Sequence, residues 1–215
     1  MDKTTVFTSD SPEVIYLKGK DRRLAKVIEL VGEVESREHN DPYTFLVHEI
    51  IEQMLSVKAG AKIYGRLESL CGGAVSPHAI GNLSDEEIRN AGMSNAKVEY
   101  IRILTSAVQN GDLVFSELEQ ESDAQVIKSL TSFRGIGNWT AKMYLIFVLG
   151  RLDVLPYEDG AFLQTYRWMY KTDDTSPASI KKRCKKWSPY ASVAARFMYR
   201  ALDKGLTKNE FHLFK

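Results

Sequence analysis

Apolar residues recur at intervals of three and four along much of the chain, which is the period of an amphipathic α-helix. The first such stripe is formed by Leu24, Val27, Ile28 and Val31. Asp21 stands before it as a predicted N-cap. A second helix is predicted to begin at Asp41-Pro42, because proline suits the first helical position. Its apolar face comprises Phe45, Leu46, Ile50, Ile51 and Met54.

Helical patterns continue through the rest of the chain. Ser84 and Glu87 form a capping-box pattern, and the stretch Trp139–Leu149 is apolar all round, which favours a buried central helix. Further helices are predicted from Ala59 to before Cys71, from Ser84 through Asn90, over Asn95–Gln109 and Asp123–Thr131, from Ser176-Pro177, and from Ser188-Pro189 through Leu202. Asp112–Glu119 reads as a loop or a single turn, and Val14–Leu17 as a short extended lead-in. No strand pair is predicted, so the fold class is all-α.

Composition narrows the class of protein. The 215 residues are 44% hydrophobic and 27% charged, enough to bury a core. Neither a signal peptide nor an eighteen-residue apolar stretch is present, so we expect a soluble intracellular protein. Cys71 and Cys184 are too few for a disulfide framework, a zinc site or an iron–sulfur cluster.

The formal net charge of +1 conceals an uneven distribution. Between Lys181 and Lys204 a single acid, Asp203, faces a large excess of bases. The bases are Lys181, Lys182, Arg183, Lys185, Lys186, Arg196, Arg200 and Lys204. Such a cluster suits phosphate binding, although on charge alone a solvated helix face is the more common explanation.

A glycine hairpin, Gly135-Ile136-Gly137, lies between two predicted helices. Glycine permits positive φ and the close approach of a ligand, and the following helix offers unpaired N–H groups from Asn138 onward. Such a corner can bind phosphate. The glycines would equally permit a tight helix–helix corner with no ligand.

The hairpin segment FRGIGNWTA, residues 133–141, followed by LPYED, residues 155–159, resembles the signature of the helix-hairpin-helix DNA glycosylases. The 3-methyladenine DNA glycosylase II group is the most similar branch. Gln53–Ser56, Gly92–Lys97 and Trp187–Ser192 also fall where that group places such stretches. The resemblance covers Lys20–Gly205.

This resemblance implies a fold of two helical lobes with a DNA- and base-binding cleft between them. Residues 20–205 would form a single glycosylase unit with its hairpin at 133–139, residues 1–19 a lead-in and residues 206–215 a tail. The implied partner is double-stranded DNA that contains a damaged base. The resemblance also implies that the protein is a monomer and that it is located inside the cell, with the DNA.

DNA-binding roles follow from the resemblance for the hairpin and for one turn. The hairpin implies backbone contacts with phosphate, with a monovalent cation at the backbone as a further option and no side-chain metal ligand. Met54 is the implied wedge in the duplex, although without the resemblance it reads as a core residue. The implied DNA-binding residues are Arg134, Gly135, Ile136, Gly137, Asn138, Thr140, Gln53, Met54 and Ser56. Arg134 replaces a proline common in the family, so we expect it to add a direct charge contact.

Asp159 is the implied catalytic carboxylate. A carboxylate beside the sugar stabilises the oxocarbenium-like state formed when the base leaves, and can orient the attacking water. A helix cap is the alternative role for Asp159. Glu158 is the neighbouring alternative for catalysis, and Asp153 ranks below both.

The position where strand-cleaving members carry a Schiff-base lysine reads Trp139 followed by Thr140, so we expect a monofunctional enzyme that uses water. No iron–sulfur cluster or other cofactor is expected. Alkylated purines such as 3-methyladenine and 7-methylguanine are cationic and suit an aromatic pocket. Trp139, Tyr157, Tyr199 and Tyr43 are the candidate lining residues, each of which could instead belong to the core.

Other functions remain open at this point. They are excision of deaminated or oxidised bases, a bifunctional glycosylase-lyase, a non-catalytic helix-hairpin-helix DNA-binding protein, and a protein-interaction bundle.

Overall fold

The computed structural model of the chain describes residues 4–214, and nearly all of their regular structure is helical. The helices are α1 Pro12–Lys20, α2 Arg22–Val31, α3 Pro42–Glu52, α4 Val57–Leu70, α5 Pro77–Gly81, α6 Asp85–Asn90, α7 Asn95–Asn110, α8 Phe115–Leu118, α9 Asp123–Thr131, α10 Asn138–Phe147, α11 Gly160–Tyr170, α12 Pro177–Cys184 and α13 Ala191–Asp203. Two short strands, β1 Thr4–Phe7 and β2 Val34–Arg37, pair antiparallel. The all-α class is therefore confirmed.

The described residues divide into two compact units. The central unit comprises residues 39–148, and the terminal unit comprises residues 4–38 and 149–214. Within residues 4–214, no helix combines the length and the apolar character that crossing a membrane requires.

The predicted helix starts are confirmed by their caps. The Asp21 carboxylate accepts hydrogen bonds from the backbone N–H groups of Arg23 and Leu24 at the start of α2. Asp41 accepts from the Thr44 N–H at the start of α3. Ser84 and Glu87 form the complete capping box at α6. These motifs work locally because each satisfies N–H groups that a first helical turn leaves unpaired.

Three sequence predictions of regular structure are wrong. Val14–Leu17 is helical within α1, where Ser11-Pro12 begins the helix and the side chains of Val14 and Leu17 are fully buried in the terminal unit. The β1–β2 pair was missed because its partners lie about thirty residues apart, as Thr4 opposite Arg37 shows. Met54 does not extend the apolar face of α3, since that helix ends at Glu52.

The central unit is built around α10, the helix predicted to be buried. All residues from Thr140 to Ile146 are buried, and the helix packs against α3 and α9. The Tyr144 ring contacts the rings of Phe45 and Phe115, both at centroid distances of 6.3 Å. This packing fixes α10 within the central unit, and the hairpin directly precedes the first turn of α10.

The terminal unit has its core between α2, α11 and α13, with α1 against α2. The Asp21 carboxylate, only 3% exposed, joins several of these elements. It accepts hydrogen bonds from the Tyr170 hydroxyl, from Trp187 Nε1 at 3.0 Å, and pairs with Lys186 Nζ at 3.0 Å. Asp21 thus connects the start of α2 with the end of α11 and with the turn after α12.

Several residues of the basic cluster are used inside the terminal unit. Lys204 Nζ donates to the Val31 carbonyl at 2.7 Å, and Lys186 pairs with Asp21. Arg183 lies over the Tyr170 ring at 4.8 Å. Arg196 is buried, and desolvation lowers its pKa to about 10 against the opposing effect of nearby charges. The cluster is therefore not simply a solvated face.

Asp21 makes folding stability depend on pH. Burial raises the pKa of this carboxyl, but the hydrogen bonds from Tyr170, Lys186 and Trp187 outweigh burial and hold the pKa below its usual value. Its contribution is therefore complete above the unfolded pKa of about 3.9, and is lost as the pH falls through the lower folded pKa. We expect Asp21→Asn to lower the free energy of unfolding by about 2 kcal/mol near neutral pH, with a smaller loss in acid.

Urea denaturation at several pH values measures this effect. The exposed Asp112 provides the matched control, and Asp112→Asn should change stability by less than about 0.5 kcal/mol. A difference between wild type and Asp21→Asn that stayed constant from neutral pH to pH about 2 would contradict the linkage.

Candidate functional site

The hairpin between α9 and α10 uses its two glycines for different reasons. Gly135 has φ of +98°, and a Cβ there would lie 2.4 Å from Tyr100 Cγ, so the position requires glycine on both counts. Gly137 has φ of −96° and forms the N-cap of α10. A Cβ on Gly137 would meet no atom within 4 Å. The second glycine is thus not required by the packing of the protein.

The start of α10 has the properties of a phosphate site. No side chain caps this helix, so its first backbone N–H groups and the positive end of its dipole are directed outward. Gly137 and Asn138 are exposed. Ile136 and Thr140 are only 5% and 2% exposed, so contacts from these residues would come from their backbone.

Arg134 lies on the exposed side of the hairpin, but it is already paired. Its guanidinium bonds to Glu99 at 2.5 Å and lies 5.8 Å from the centre of the Tyr100 ring. Contact between Arg134 and a DNA phosphate would compete with Glu99. The expected charge contact stays a prediction.

A tight turn, Glu52–Leu55, follows α3. The Leu55 N–H donates to the Glu52 carbonyl at 2.9 Å, and Gln53 has φ of −48° and ψ of 124°. Met54 follows with φ of +60°, so the turn is of type II with Met54 where glycine is usual. A left-handed methionine costs about 1 to 2 kcal/mol. Its side chain is nevertheless 100% exposed.

The turn and the hairpin are joined directly. Gln53 Nε2 donates to the Gly135 carbonyl at 2.8 Å, so the amide predicted to meet the bases contacts the hairpin in this structure. Ser56, the other predicted DNA contact here, caps α4 by accepting from the Ala59 N–H at 3.3 Å. Met54 is thereby placed at a fixed position beside the hairpin.

Helix α7 supports both the turn and the hairpin through Lys97, Glu99 and Tyr100, for which no role was predicted from the sequence. Lys97 Nζ donates to the carbonyls of Ile51 and Gln53, both at 2.7 Å. Glu99 pairs with Arg134, and Tyr100 packs on Gly135. Membership of Lys97 in the stretch Gly92–Lys97 was the only signal in the sequence that could have indicated this.

Asp159 lies in the terminal unit, at the end of the turn begun by Pro156. Its backbone N–H donates to the Pro156 carbonyl at 3.0 Å, and its Oδ1 accepts from the Phe162 N–H at 2.7 Å. The residue is 8% exposed and is the N-cap of α11. The cap holds the carboxylate in one orientation, next to the positive end of the α11 dipole.

The neighbouring acid Asp153 has a structural role. Its carboxylate accepts from Ser188 Oγ at 2.5 Å and from the Ala191 N–H at 3.2 Å. It therefore supplies the cap that Tyr190 does not provide for α13. Both of its oxygens hold the chain together, which argues against a catalytic role.

The four candidate pocket aromatics are divided between the units. Trp139 and Tyr43 belong to the central unit, and Tyr157 and Tyr199 to the terminal unit. Tyr43 is 3% exposed, and its hydroxyl bonds to Thr105 at 2.8 Å, which is a core arrangement. Trp139, Tyr157 and Tyr199 are half-buried, and they remain candidates for the pocket.

The carbonyl oxygens of the hairpin backbone are the groups that would hold a monovalent cation. Among residues 4–214 no group of acids, histidines and cysteines could hold a metal ion. The Phe133 carbonyl accepts from the Ile136 N–H at 3.1 Å, and the Gly135 carbonyl accepts from Gln53. Each of these two carbonyl oxygens already accepts a hydrogen bond within the protein, and the monovalent cation stays a prediction.

The fold is helical, the glycine hairpin leads into a helix without a side-chain cap, and a carboxylate caps the helix that follows the Pro-Tyr-Glu-Asp turn. These are the features of a helix-hairpin-helix protein of the base excision repair class, as the family model shows. The chain belongs to the HhH-GPD superfamily of base excision DNA repair proteins, whose family model matches residues 47–189.

Three similarities cover nearly the whole chain. A crystal structure of DNA-3-methyladenine glycosidase from Bacillus halodurans superposes with a TM-score of 0.87 and 40% identity, covering 97% of each chain. DNA-3-methyladenine glycosylase 1 of Schizosaccharomyces pombe is 29% identical over 206 residues, which is 93% of this chain and 90% of that protein. The S. pombe 3-methyladenine DNA glycosylase in complex with abasic DNA gives a TM-score of 0.82 at 27% identity, covering 90% of this chain and 97% of that one.

The two hairpin glycines should respond differently to alanine. Gly135→Ala combines an unfavourable φ with a clash against Tyr100, so we expect a loss of about 1 to 3 kcal/mol in the free energy of unfolding. Gly137→Ala meets no neighbour and should cost less than about 1 kcal/mol, the effect of alanine at an N-cap. Urea denaturation of both variants measures the difference, and equal stability would contradict the packing of Tyr100 on Gly135.

Proposed function

We propose that this protein is a monofunctional DNA glycosylase that hydrolyses the N-glycosidic bond of alkylated purines of the 3-methyladenine and 7-methylguanine type. Its partner is double-stranded DNA carrying such a base, and it acts on that DNA in the cell as a monomer. Residues 20–205 form the catalytic unit in this proposal. Membership of the superfamily and the printed names of the relatives support it.

The hairpin and the Met54 turn provide the DNA contacts in this proposal. Backbone N–H groups from Gly137 onward bind a phosphate, as helix starts do. Met54 enters the gap left by the flipped base, because an exposed apolar side chain can hold a kinked step open. Flipping costs a few kcal/mol, and least for a damaged base.

Asp159 carries the chemistry. An alkylated purine nucleotide already bears a positive charge on the base, so the base leaves as a neutral molecule and needs no proton donor. The positive charge then passes to the sugar, where the carboxylate stabilises it and orients the water that completes hydrolysis. The Phe162 N–H holds Oδ1 by a 2.7 Å hydrogen bond, so the carboxylate needs little reorganisation during the reaction.

The residues of α10 favour hydrolysis over strand cleavage. A Schiff base needs an accessible lysine amine, and Trp139 and Thr140 occupy the position where such a lysine is expected. Lys142, the next lysine along α10, is buried with 8% of its surface exposed and already has a partner.

The buried, capped carboxylate of Asp159 is the observation that carries the proposal, and Asp159→Asn tests it. Asparagine caps a helix about as well as aspartate, so the variant should fold and bind DNA. Removal of the charge should slow base release by about 100-fold or more, the size of effect expected from one electrostatic stabiliser. The measurement is single-turnover release of 3-methyladenine and 7-methylguanine from methylated duplex DNA, identified by chromatography.

Parallel reactions separate the alternatives. Glu158→Gln should remain active, and its inactivation beside an active Asp159→Asn would transfer the catalytic role to Glu158. Duplexes with hypoxanthine, uracil or an oxidised base test other lesions, and borohydride trapping tests for a lyase. A wild-type protein that bound DNA but released no base from any substrate would instead be a non-catalytic DNA-binding protein.

A further inference from the structure

The turn Glu52–Leu55 has a conformation that it would not adopt unaided. Met54 has φ of +60°, a value that glycine or asparagine adopts far more readily than a long side chain. Its side chain is 100% exposed, so no packing of Met54 itself compensates for the strain. Contacts from other residues must hold the turn.

Those contacts come from Lys97 and Gln53. Lys97 Nζ donates to the carbonyls of Ile51 and Gln53 at 2.7 Å each, which fixes the peptides on the N-terminal side of Met54. The Gln53 amide donates to the Gly135 carbonyl at 2.8 Å. Lys97 therefore holds the turn from α7, and Gln53 holds it against the hairpin.

Two features of its surroundings disfavour a charged lysine at position 97. Ser94 caps α7, and Lys97 lies in its first turn, where a cation opposes the helix dipole. Burial lowers the pKa of the Lys97 ammonium. Both effects disfavour a lysine at this place, and the two carbonyls compensate for them with charge-assisted hydrogen bonds.

We propose that Lys97 is a positioning residue of the glycosylase, which holds the Met54 turn rigid and beside the hairpin so that Met54 can enter the DNA stack. The inference rests on the proposed function. A wedge must transmit force against stacked bases, and a turn that could relax from its left-handed form would yield instead. Lys97 touches no reacting atom and acts only through Met54.

A purely structural role is the competing explanation, since lysine side chains commonly bind the last carbonyls of a helix. Under that explanation Lys97→Met lowers stability and leaves DNA distortion unchanged per folded molecule. Under the proposal it reduces DNA distortion in the folded protein, and the reduction depends on the presence of Met54. A double-mutant cycle separates the two explanations.

The experiment uses the full chain and a duplex with a tetrahydrofuran abasic site beside 2-aminopurine, whose fluorescence rises on unstacking. Lys97→Met should lose most of the fluorescence rise of the wild type and slow release of 7-methylguanine by about tenfold to 100-fold, as small misplacements do. Lys97→Arg, which keeps charge and donors, should recover most of both signals. Met54→Ala should lose the fluorescence rise, and adding Lys97→Met to it should change little more.

Lys62→Met is the matched control, because this exposed lysine lies on α4 of the same unit. It should behave as the wild type at equal ionic strength. Circular dichroism and thermal melting establish folding, and Lys97→Gln replaces Lys97→Met in the cycle if the latter does not fold.

Each outcome decides the proposal. A fluorescence rise in folded Lys97→Met equal to the wild type overturns it, as do effects of Lys97→Met and Met54→Ala that simply add. A wild type that unstacks the probe but releases no base, with Lys97→Met losing the unstacking, supports the positioning role while the glycosylase function fails. A wild type that unstacks nothing overturns the role of Met54 and the proposal with it.

Discussion

The close packing of Tyr100 on Gly135 is the contact on which the hairpin and the Met54 turn of the central unit depend. A Cβ at Gly135 would lie 2.4 Å from the ring, so the hairpin can occupy this place only with glycine there. The consequence is a backbone carbonyl at Gly135 within reach of the Gln53 amide. One glycine thus sets both the path of the hairpin and the position of the Met54 turn. Helix α7, which carries Tyr100, Lys97 and Glu99, is the common support.

The carboxylate at Asp159 caps α11, and this structural role is compatible with the chemical role proposed for it. A helix cap and a charge stabiliser are usually presented as alternatives, yet both need a carboxylate held in one orientation beside positive dipoles. The Phe162 N–H holds the Asp159 carboxylate in one orientation, and the turn that begins at Pro156 holds the Asp159 backbone. Asp153, six residues earlier, has both oxygens engaged by Ser188 and Ala191. Asp153 therefore has a structural role, as the cap of α13 and as the partner of the Ser188 hydroxyl.

The terminal unit holds its elements together through a buried acid rather than through apolar packing alone. Asp21 caps α2 and accepts from Tyr170, Trp187 and Lys186. A charged group this buried is tolerated because every neighbour donates to it. Lys186 of the basic cluster pairs with Asp21, and Lys204 donates to the Val31 carbonyl, so both charges are engaged within the terminal unit. Net charge along a segment is therefore a poor measure of the charge that it presents to DNA.

The sequence by itself determined most of the helices and their starts. Caps such as Asp21, Asp41 and Ser84, the buried helix α10 and the glycine hairpin could be predicted, because they depend on hydrogen bonds and apolar spacing within one or two turns. The motif at residues 133–159 was equally readable as a family signature. It indicated Asp159, whose cap at α11 the structure contains.

Only the tertiary structure decided the rest. The helical state of Val14–Leu17 depends on burial in the terminal unit, and the pairing of β1 with β2 depends on residues far apart in the chain. Gln53 meets Gly135 across 82 residues, and Lys97 meets Gln53 across 44. The spacing of apolar residues and the capping motifs carry no information about such contacts, because both reflect interactions between residues only a few positions apart in the chain. The position of the Met54 turn is consequently a property of the fold and not of its own segment.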